Sequence, residues 1–254
     1  MPRSEDLVRY CDELLRATAF PDVAVNGLQV AGTGEIRRLA VAVSTSRFTL
    51  DAAAALGANA LLVHHGLLWG ARSGAISGLF ADRLRLLFTH DMSLIAYHLP
   101  LDGHPDIGNC ALLARAAGFA AVGRFASVGG EPLGVVGEVV QPLSLAALLD
   151  RMRAITDRDP VAVGAVDVHD AIDRVGFLTG SGHSALEDAV AAGCQVLVTG
   201  DVRESTMAEA RELGLIVIAA GHEATERLGV QALAQELERE FSIETHVIPD
   251  PNPV

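Results

Sequence analysis

The stretch Leu61-Leu62-Val63-His64-His65-Gly66 decides how this chain is read. An apolar run of strand type, Ala60 to Val63, ends at two imidazoles and a glycine. Such a run reads as a buried strand, and in parallel α/β sheets ligands bind at the carboxyl ends of strands. His64 and His65 are therefore placed for chemistry. Neighbouring residues of a regular strand point to opposite faces, so both imidazoles reach one centre only if the chain leaves strand geometry, which Gly66 permits. Taken alone, the dipeptide is equally compatible with one core histidine and one exposed one.

Outward from this strand the chain alternates. On the N-terminal side, Leu39 to Val43 reads as a buried strand running into Ser44-Thr45-Ser46, and an Ala-rich helix, Asp51 to Leu56, leads through Gly57 to the histidine strand. Further back, Ser4 can cap a helix with Leu7, Val8, Cys11, Leu14 and Leu15 on one face, and Asn26-Gly27 marks a turn. On the C-terminal side follow a helix over Leu79 to Phe88, a strand over Ser93 to His98 and a helix over Asn109 to Ala117. Around Val122 to Pro132 the periodicity dissolves, which divides the chain into an N-terminal α/β lobe, residues 1–125, and a C-terminal α/β lobe, residues 126–254. The second lobe offers strands at Val135 to Val139, Val161 to Val163, Val175 to Thr179, Val196 to Thr199 and Leu215 to Ala220. Helices fall at Ser144 to Ile155 and from Glu223 to about Phe241, and the tail His246-Val247-Ile248-Pro249 adds an edge strand. The class is α/β, with two lobes and mostly parallel sheets.

Composition bounds the chemistry. The 254 residues are 50% apolar, enough for a sizeable core, and the formal charge of −13 argues against nucleic acid or an anionic membrane surface as the main partner. There is no lysine, which removes the Walker A lysine, Schiff-base chemistry and any lysine base. Three widely spaced cysteines, Cys11, Cys110 and Cys194, indicate neither a disulfide framework nor a thiolate zinc site and point to the reducing cytoplasm. No signal-peptide pattern opens the chain and no apolar run has membrane-spanning length.

Other strand ends carry compatible ligands. The strand Leu215 to Ala220 ends at Gly221-His222, and Glu226 follows four residues later, on the same helix face. The Ser93 to His98 strand leads into Leu99-Pro100-Leu101-Asp102, a proline-shaped loop that could turn Asp102 back to the strand ends. Singly, each has an ordinary structural explanation: a helix-start histidine, a carboxylate paired with Arg227, a turn-capping aspartate. Together they repeat one ligand chemistry, imidazole and carboxylate, shared by zinc, iron, manganese and nickel.

These residues carry a resemblance. Asn26-Gly27-Leu28-Gln29-Val30, His64-His65-Gly66-Leu67-Leu68-Trp69, Tyr97-His98-Leu99-Pro100-Leu101-Asp102, Thr199-Gly200-Asp201 and Gly221-His222-Glu223-Ala224-Thr225-Glu226-Arg227 occur in the order and spacing of the GTP cyclohydrolase 1 type 2 homologue family, the Nif-three-like dinuclear metal-centre proteins. The resemblance runs from about Asn26 to the Ile248-to-Pro253 tail. It implies two α/β lobes with a two-metal site between them and a toroidal homohexamer. The family's metal ligands fall on His64, His65, Asp102, His222 and Glu226. The chain departs from the family at Glu223 and Ala208, where members often have histidine.

A dimetal centre of this kind acidifies water and clamps an oxygen anion, the chemistry of hydrolases. The resemblance suggests hydrolytic ring opening of a purine nucleotide, with Glu204 and Glu223 as candidate general bases, although both residue types are common on helix surfaces. A non-enzymatic hexameric scaffold or metal-handling protein is the alternative. A third reading rests on Gly180-Ser181-Gly182-His183, which follows a strand, opens a helix and is followed about twenty residues later by Asp201, as in a loose dinucleotide fingerprint.

Overall fold

A strand inside a parallel sheet is covered on both faces, and the apolar run before His64 is such a strand: Leu61, Leu62 and Val63 have no exposed surface. The computed structural model describes residues 1–70, 75–167 and 171–254. Along the chain come α1 (Ser4–Leu15), β1 (Gly27–Val30), β2 (Arg38–Ser44), α2 (Arg47–Ala55), β3 (Ala60–His65), α3 (Gly78–Thr89), β4 (Ser93–Ala96) and α4 (Leu99–Gly103). Then follow α5 (Asn109–Ala116), β5 (Ala120–Val128), β6 (Glu131–Leu143), α6 (Leu145–Thr156), β7 (Val161–Gly164), β8 (Ile172–Phe177) and α7 (Leu186–Ala191). The last elements are β9 (Val196–Thr199), α8 (Thr206–Glu212), β10 (Ile216–Ala219), α9 (His222–Thr225), α10 (Arg227–Phe241) and β11 (Glu244–Val247).

The chain forms two units: Met1–Leu101 with Gly229–Pro251, and Asp102–Leu228 with Asn252–Val254. The boundary expected between residues 125 and 126 falls inside β5, within unit two. The aperiodic stretch Val122 to Pro132 is a β5–β6 hairpin whose turn, Gly129-Gly130, has φ of +60° and +90° at its two glycines. Tight hairpin turns favour such residues. β5 is largely exposed, so no alternation of burial marks it as a strand.

Unit one has a five-stranded sheet in the order β1-β4-β3-β2-β11. β4, β3, β2 and β11 are parallel and β1 is antiparallel to β4. The expected tail strand is thus β11, zipped onto β2 from Glu244↔Arg38 to Val247↔Val41. One sheet face, with Ala40, Ala42, Leu61, Val63, Leu94 and Ala96, packs against Leu50 and Ala53 of α2 and Leu87 of α3. In α1 the buried residues Leu7, Cys11 and Leu15 recur every four positions, as expected for one helix face. Ser4 is the first helical residue rather than the cap; Arg3 holds the cap position and its backbone N–H donates to Asp6 Oδ2 at 3.0 Å.

Unit two has a six-stranded sheet in the order β5-β6-β8-β9-β10-β7. β8, β9 and β10 run parallel and the remaining neighbours are antiparallel, so this sheet is mixed. The single helix expected from Glu223 to Phe241 is two, α9 and α10, because Glu226 at φ −104°, ψ 3° leaves helical geometry. All three cysteines are buried and free. Among the described residues no helix is long and apolar enough to cross a membrane.

Candidate metal centre

In unit one the parallel strands β2, β3 and β4 end at one edge of the sheet, and the histidines are there. β3 runs through His65, which pairs with Ser44, so the chain stays in strand geometry where the sequence suggested it must leave. The His64 and His65 rings still lie only 4.7 Å apart. Side chains lean along a strand, and at its last positions they can turn past the sheet edge. Gly66 serves a different purpose: a Cβ there would overlap the Gln29 carboxamide. Gln29 Oε1 accepts from the N–H groups of Leu67 and Leu68 at 2.7 and 2.9 Å, and Asn26 Oδ1 accepts from the N–H of His98 at 2.7 Å. The segment that opens with Asn26-Gly27, expected as a turn, therefore enters β1 and ties down both histidine loops.

Each imidazole at this edge has Nδ1 engaged. His64 Nδ1 lies 2.9 Å from the Tyr97 carbonyl oxygen, which can only accept, so Nδ1 carries the proton. His65 Nδ1 is 3.0 Å from Ser44 Oγ. His98 Nδ1 is 2.9 Å from Asp22 Oδ1, and the Asp22 carboxylate also accepts from the N–H groups of Ala24 and Leu99, both at 2.9 Å, and from Asn26 Nδ2 at 3.1 Å. Burial pushes Asp22 up, but these donors, led by His98, outweigh it and hold the carboxyl down at about 2. One ligating atom each of His64, His65 and His98 lies within 4.8 Å of the others.

In unit two the parallel strands β8, β9 and β10 end at Leu178-Thr179-Gly180, Gly200-Asp201 and Ala220-Gly221-His222. His222 Nδ1 lies 2.7 Å from Asp201 Oδ2, which also accepts from Ser181 Oγ at 2.9 Å. His222 Nε2 faces Glu226 Oε2 at 3.3 Å. The Glu226 carboxylate, and after it Asp201, hold the imidazole up at about 9 against the opposing pull of burial. Asp102 lies in α4, a single helical turn rather than a loop, with Pro100 near its start where a missing N–H is tolerated. Its Oδ1 accepts from Asn109 Nδ2 at 2.9 Å and Thr179 Oγ1 at 3.1 Å, and one of its oxygens is within 4.8 Å of one of Glu226.

Two buried carboxylates so close need positive charge nearby, since burying a charge is costly unless it is compensated. Imidazole and carboxylate donors, with the second nitrogen of each imidazole held by a carboxylate, carbonyl or hydroxyl, fit a divalent cation. The glycines of Gly180-Ser181-Gly182 serve this packing rather than a pyrophosphate. A Cβ on Gly180 would overlap Glu226 Oε1, and one on Gly182 would lie 2.6 Å from Thr199 Oγ1. The adjoining cavity at His183 is lined by Glu187, Asp188, Glu209 and Glu212, whose charge repels phosphate.

A profile of the Duf34/NIF3 (NGG1p interacting factor 3) family matches residues 2–253. The chain belongs to this family. It is 43% identical over 239 residues to the GTP cyclohydrolase 1 type 2 homolog of Deinococcus radiodurans, covering 94% of this chain and 90% of that one. It is 40% identical over 247 residues to the homolog of Pseudomonas aeruginosa, with 97% of each covered. Among solved structures, protein ybgI, described as of unknown function, superposes with a TM-score of 0.92 at 37% identity, covering 99% of this chain and 100% of that one. TTHA1606 from Thermus thermophilus gives 0.87 at 34% identity, with 98% and 99% covered.

Within this Duf34/NIF3 chain the two carboxylates expected as bases are placed differently. Glu223 is buried and its carboxylate accepts from Arg227 Nε at 2.7 and 2.9 Å, while Glu204 is exposed in the turn before α8. Asp22, Ser44 and Asp201, which orient the imidazoles, went unnoticed as such in the sequence, although Asp201 stands in a recognisable motif. Asp201→Asn keeps the shape but removes the charge that faces His222 Nδ1. Cation affinity is expected to fall about 10- to 100-fold, as when an outer partner of a ligand is lost, measured by competition with a chromophoric chelator.

Proposed function

We propose that this chain is a metal-dependent hydrolase that binds two divalent cations, drawn from zinc, iron, manganese and nickel, through the ligands His64, His65, Asp102, His222 and Glu226. One observation carries the reading. His64, His65 and His222 each have Nδ1 held by a carbonyl, hydroxyl or carboxylate, the kind of second partner that orients a ligating histidine. When bound, such cations supply Lewis acidity, lowering the pKa of water and stabilising an oxygen anion.

The chain's own groups supply the rest. Asp102 and Glu226 offset the cationic charge. In the metal-free chain His222 keeps its proton up to pH about 9, so a cation competes with that proton and its apparent affinity climbs as pH rises towards 9. Glu223 is locked to Arg227 in an ion pair, which leaves Glu204, a solvent-facing carboxylate, as the candidate general base. The names of the relatives favour a small-molecule substrate of the purine nucleotide class, opened hydrolytically. The resemblance favours a homohexamer and the widely spaced cysteines a cytoplasmic location, and Phe48, Leu79 and Phe88 of unit one are exposed apolar side chains suited to subunit contacts.

The test is elemental analysis of protein purified without added metal, followed by turnover measurements on GTP, other nucleotides and phosphoesters. Two cations per chain with chelator-sensitive turnover are expected. Bound metal without turnover on any of these substrates would favour the metal-handling ring, and a metal-free chain that takes up no cation would overturn both.

A further inference from the structure

We infer that His98 is a further metal ligand, making the edge of unit one a three-imidazole cation site. The inference extends the metal-dependent reading above, whose ligand set includes His64 and His65 but not His98.

Three observations converge on it. The ligating atoms of His64, His65 and His98 lie within 4.8 Å of one another, with ring centroids 5.0 Å apart for His64 and His98 and 5.6 Å for His65 and His98. Three nitrogens that close together could be shared by one cation. Secondly, the tautomer of His98 is dictated. Asp22 Oδ1 lies 2.9 Å from His98 Nδ1, and the same carboxyl group, its side chain 2% exposed, accepts from the N–H groups of Ala24 and Leu99 and from Asn26 Nδ2, so it faces His98 as an acceptor and Nδ1 donates. Nε2 then bears the lone pair that a cation needs, as at ligating histidines whose other nitrogen is bonded to a carboxylate. Thirdly, the ring is fixed from several sides: its own backbone N–H donates to Asn26 Oδ1 at 2.7 Å, and the Trp69 indole meets it edge to face at 5.0 Å.

The chemistry follows from the donors. Three neutral imidazoles form a nitrogen-rich set that suits zinc, cobalt or nickel and discriminates against magnesium and calcium, which prefer oxygen. The cation held here is therefore expected to differ in preference from one held mainly by Asp102 and Glu226.

The test is titration of the full-length metal-free chain with Co2+, read by chelator competition and by the visible absorption of the bound ion, in wild type, His98→Gln and His90→Gln. His90 is exposed beyond α3 and serves as the control. His98→Gln should weaken one of the bound cations by more than about 100-fold, beyond the loss of an outer partner, and change its absorption spectrum. His90→Gln should match wild type. If His98→Gln binds Co2+ with wild-type affinity and spectrum, His98 is not a ligand while the wider metal reading stands. If wild type itself binds no cation, both fall. Paramagnetically shifted proton resonances of Co2+-loaded wild type decide the matter should the variant not fold. An exchangeable imidazole N–H signal from His98, beside those of His64, His65 and His222, supports the inference, and its absence overturns it.

Discussion

Glu226→Gln is expected to strip the chain of most of its metal while leaving it folded. Glu226 is 2% exposed, faces His222 Nε2 at 3.3 Å and has an Asp102 oxygen within 4.8 Å. With Glu226 a ligand as proposed, removing its charge should lower cation affinity by more than the roughly 100-fold that the loss of an outer partner costs. The fold should survive because the substitution does not strand a buried charge. Glu226 is the strongest influence holding His222 near 9, and without it the imidazole can lose its proton and meet a neutral amide. What is lost is a charge-assisted hydrogen bond, worth about 1.5–3 kcal/mol. That loss depends on pH in a defined direction. The pKa of His222 is raised from 6.5 to about 9 on folding, so the ion pair stabilises the metal-free wild type fully below pH about 6.5 and fades as pH rises through 9. The stability gap between wild type and variant should close over the same range. Denaturant melts of the chelated proteins across that range and elemental analysis of the reconstituted ones test both halves. Unchanged metal occupancy in Glu226→Gln would remove Glu226 from the site.

Gly180→Ala should damage both stability and metal binding, for two separable reasons. Gly180 has φ +65°, where an L-residue costs about 1–2 kcal/mol, and its added Cβ would overlap Glu226 Oε1 and come within 3.3 Å of His222 Nε2. Overpacking of this kind costs roughly a further 1–3 kcal/mol. Because the atoms displaced are the proposed donors, metal occupancy should fall with stability. Gly214→Ala separates the two effects: Gly214 has φ +66° but no atom within 4 Å of the added Cβ. It should show the backbone cost alone, with occupancy unchanged. Thermal melts and metal analysis of the two variants side by side read this out, and a Gly180→Ala chain with wild-type metal content would show that the donors do not depend on this glycine.

The residues themselves determined the class of fold and where its chemistry lies. A short run such as Ala60 to Val63, apolar at every position and stopped by His64-His65-Gly66, reads as a strand covered on both faces, and the polar residues that interrupt it fall at the strand's end. The four-residue spacing of His222 and Glu226 likewise placed both side chains on one side of the chain before any tertiary contact was known, even though the helix breaks at Glu226. Such features are local, and periodicity records them.

Only the tertiary structure decided what holds those side chains. His98 depends on Asp22, 76 residues away, His222 on Asp201, 21 away, and the loop after His65 on Gln29, 38 away. None of these pairings leaves a periodic trace, because a hydrogen bond between distant residues constrains neither neighbour's pattern. The same holds for Gly66, which reads as a release from strand geometry but is small because Gln29 occupies the space a Cβ would take, and for Gly180, where the carboxylate of Glu226 adds to the demand of a positive φ. It holds also for unit one, which regains Gly229–Pro251 from the far end of the chain. Strand pairing such as β11 on β2 is chosen by the exposed edge that a folded sheet offers, and that edge does not exist until the chain has folded.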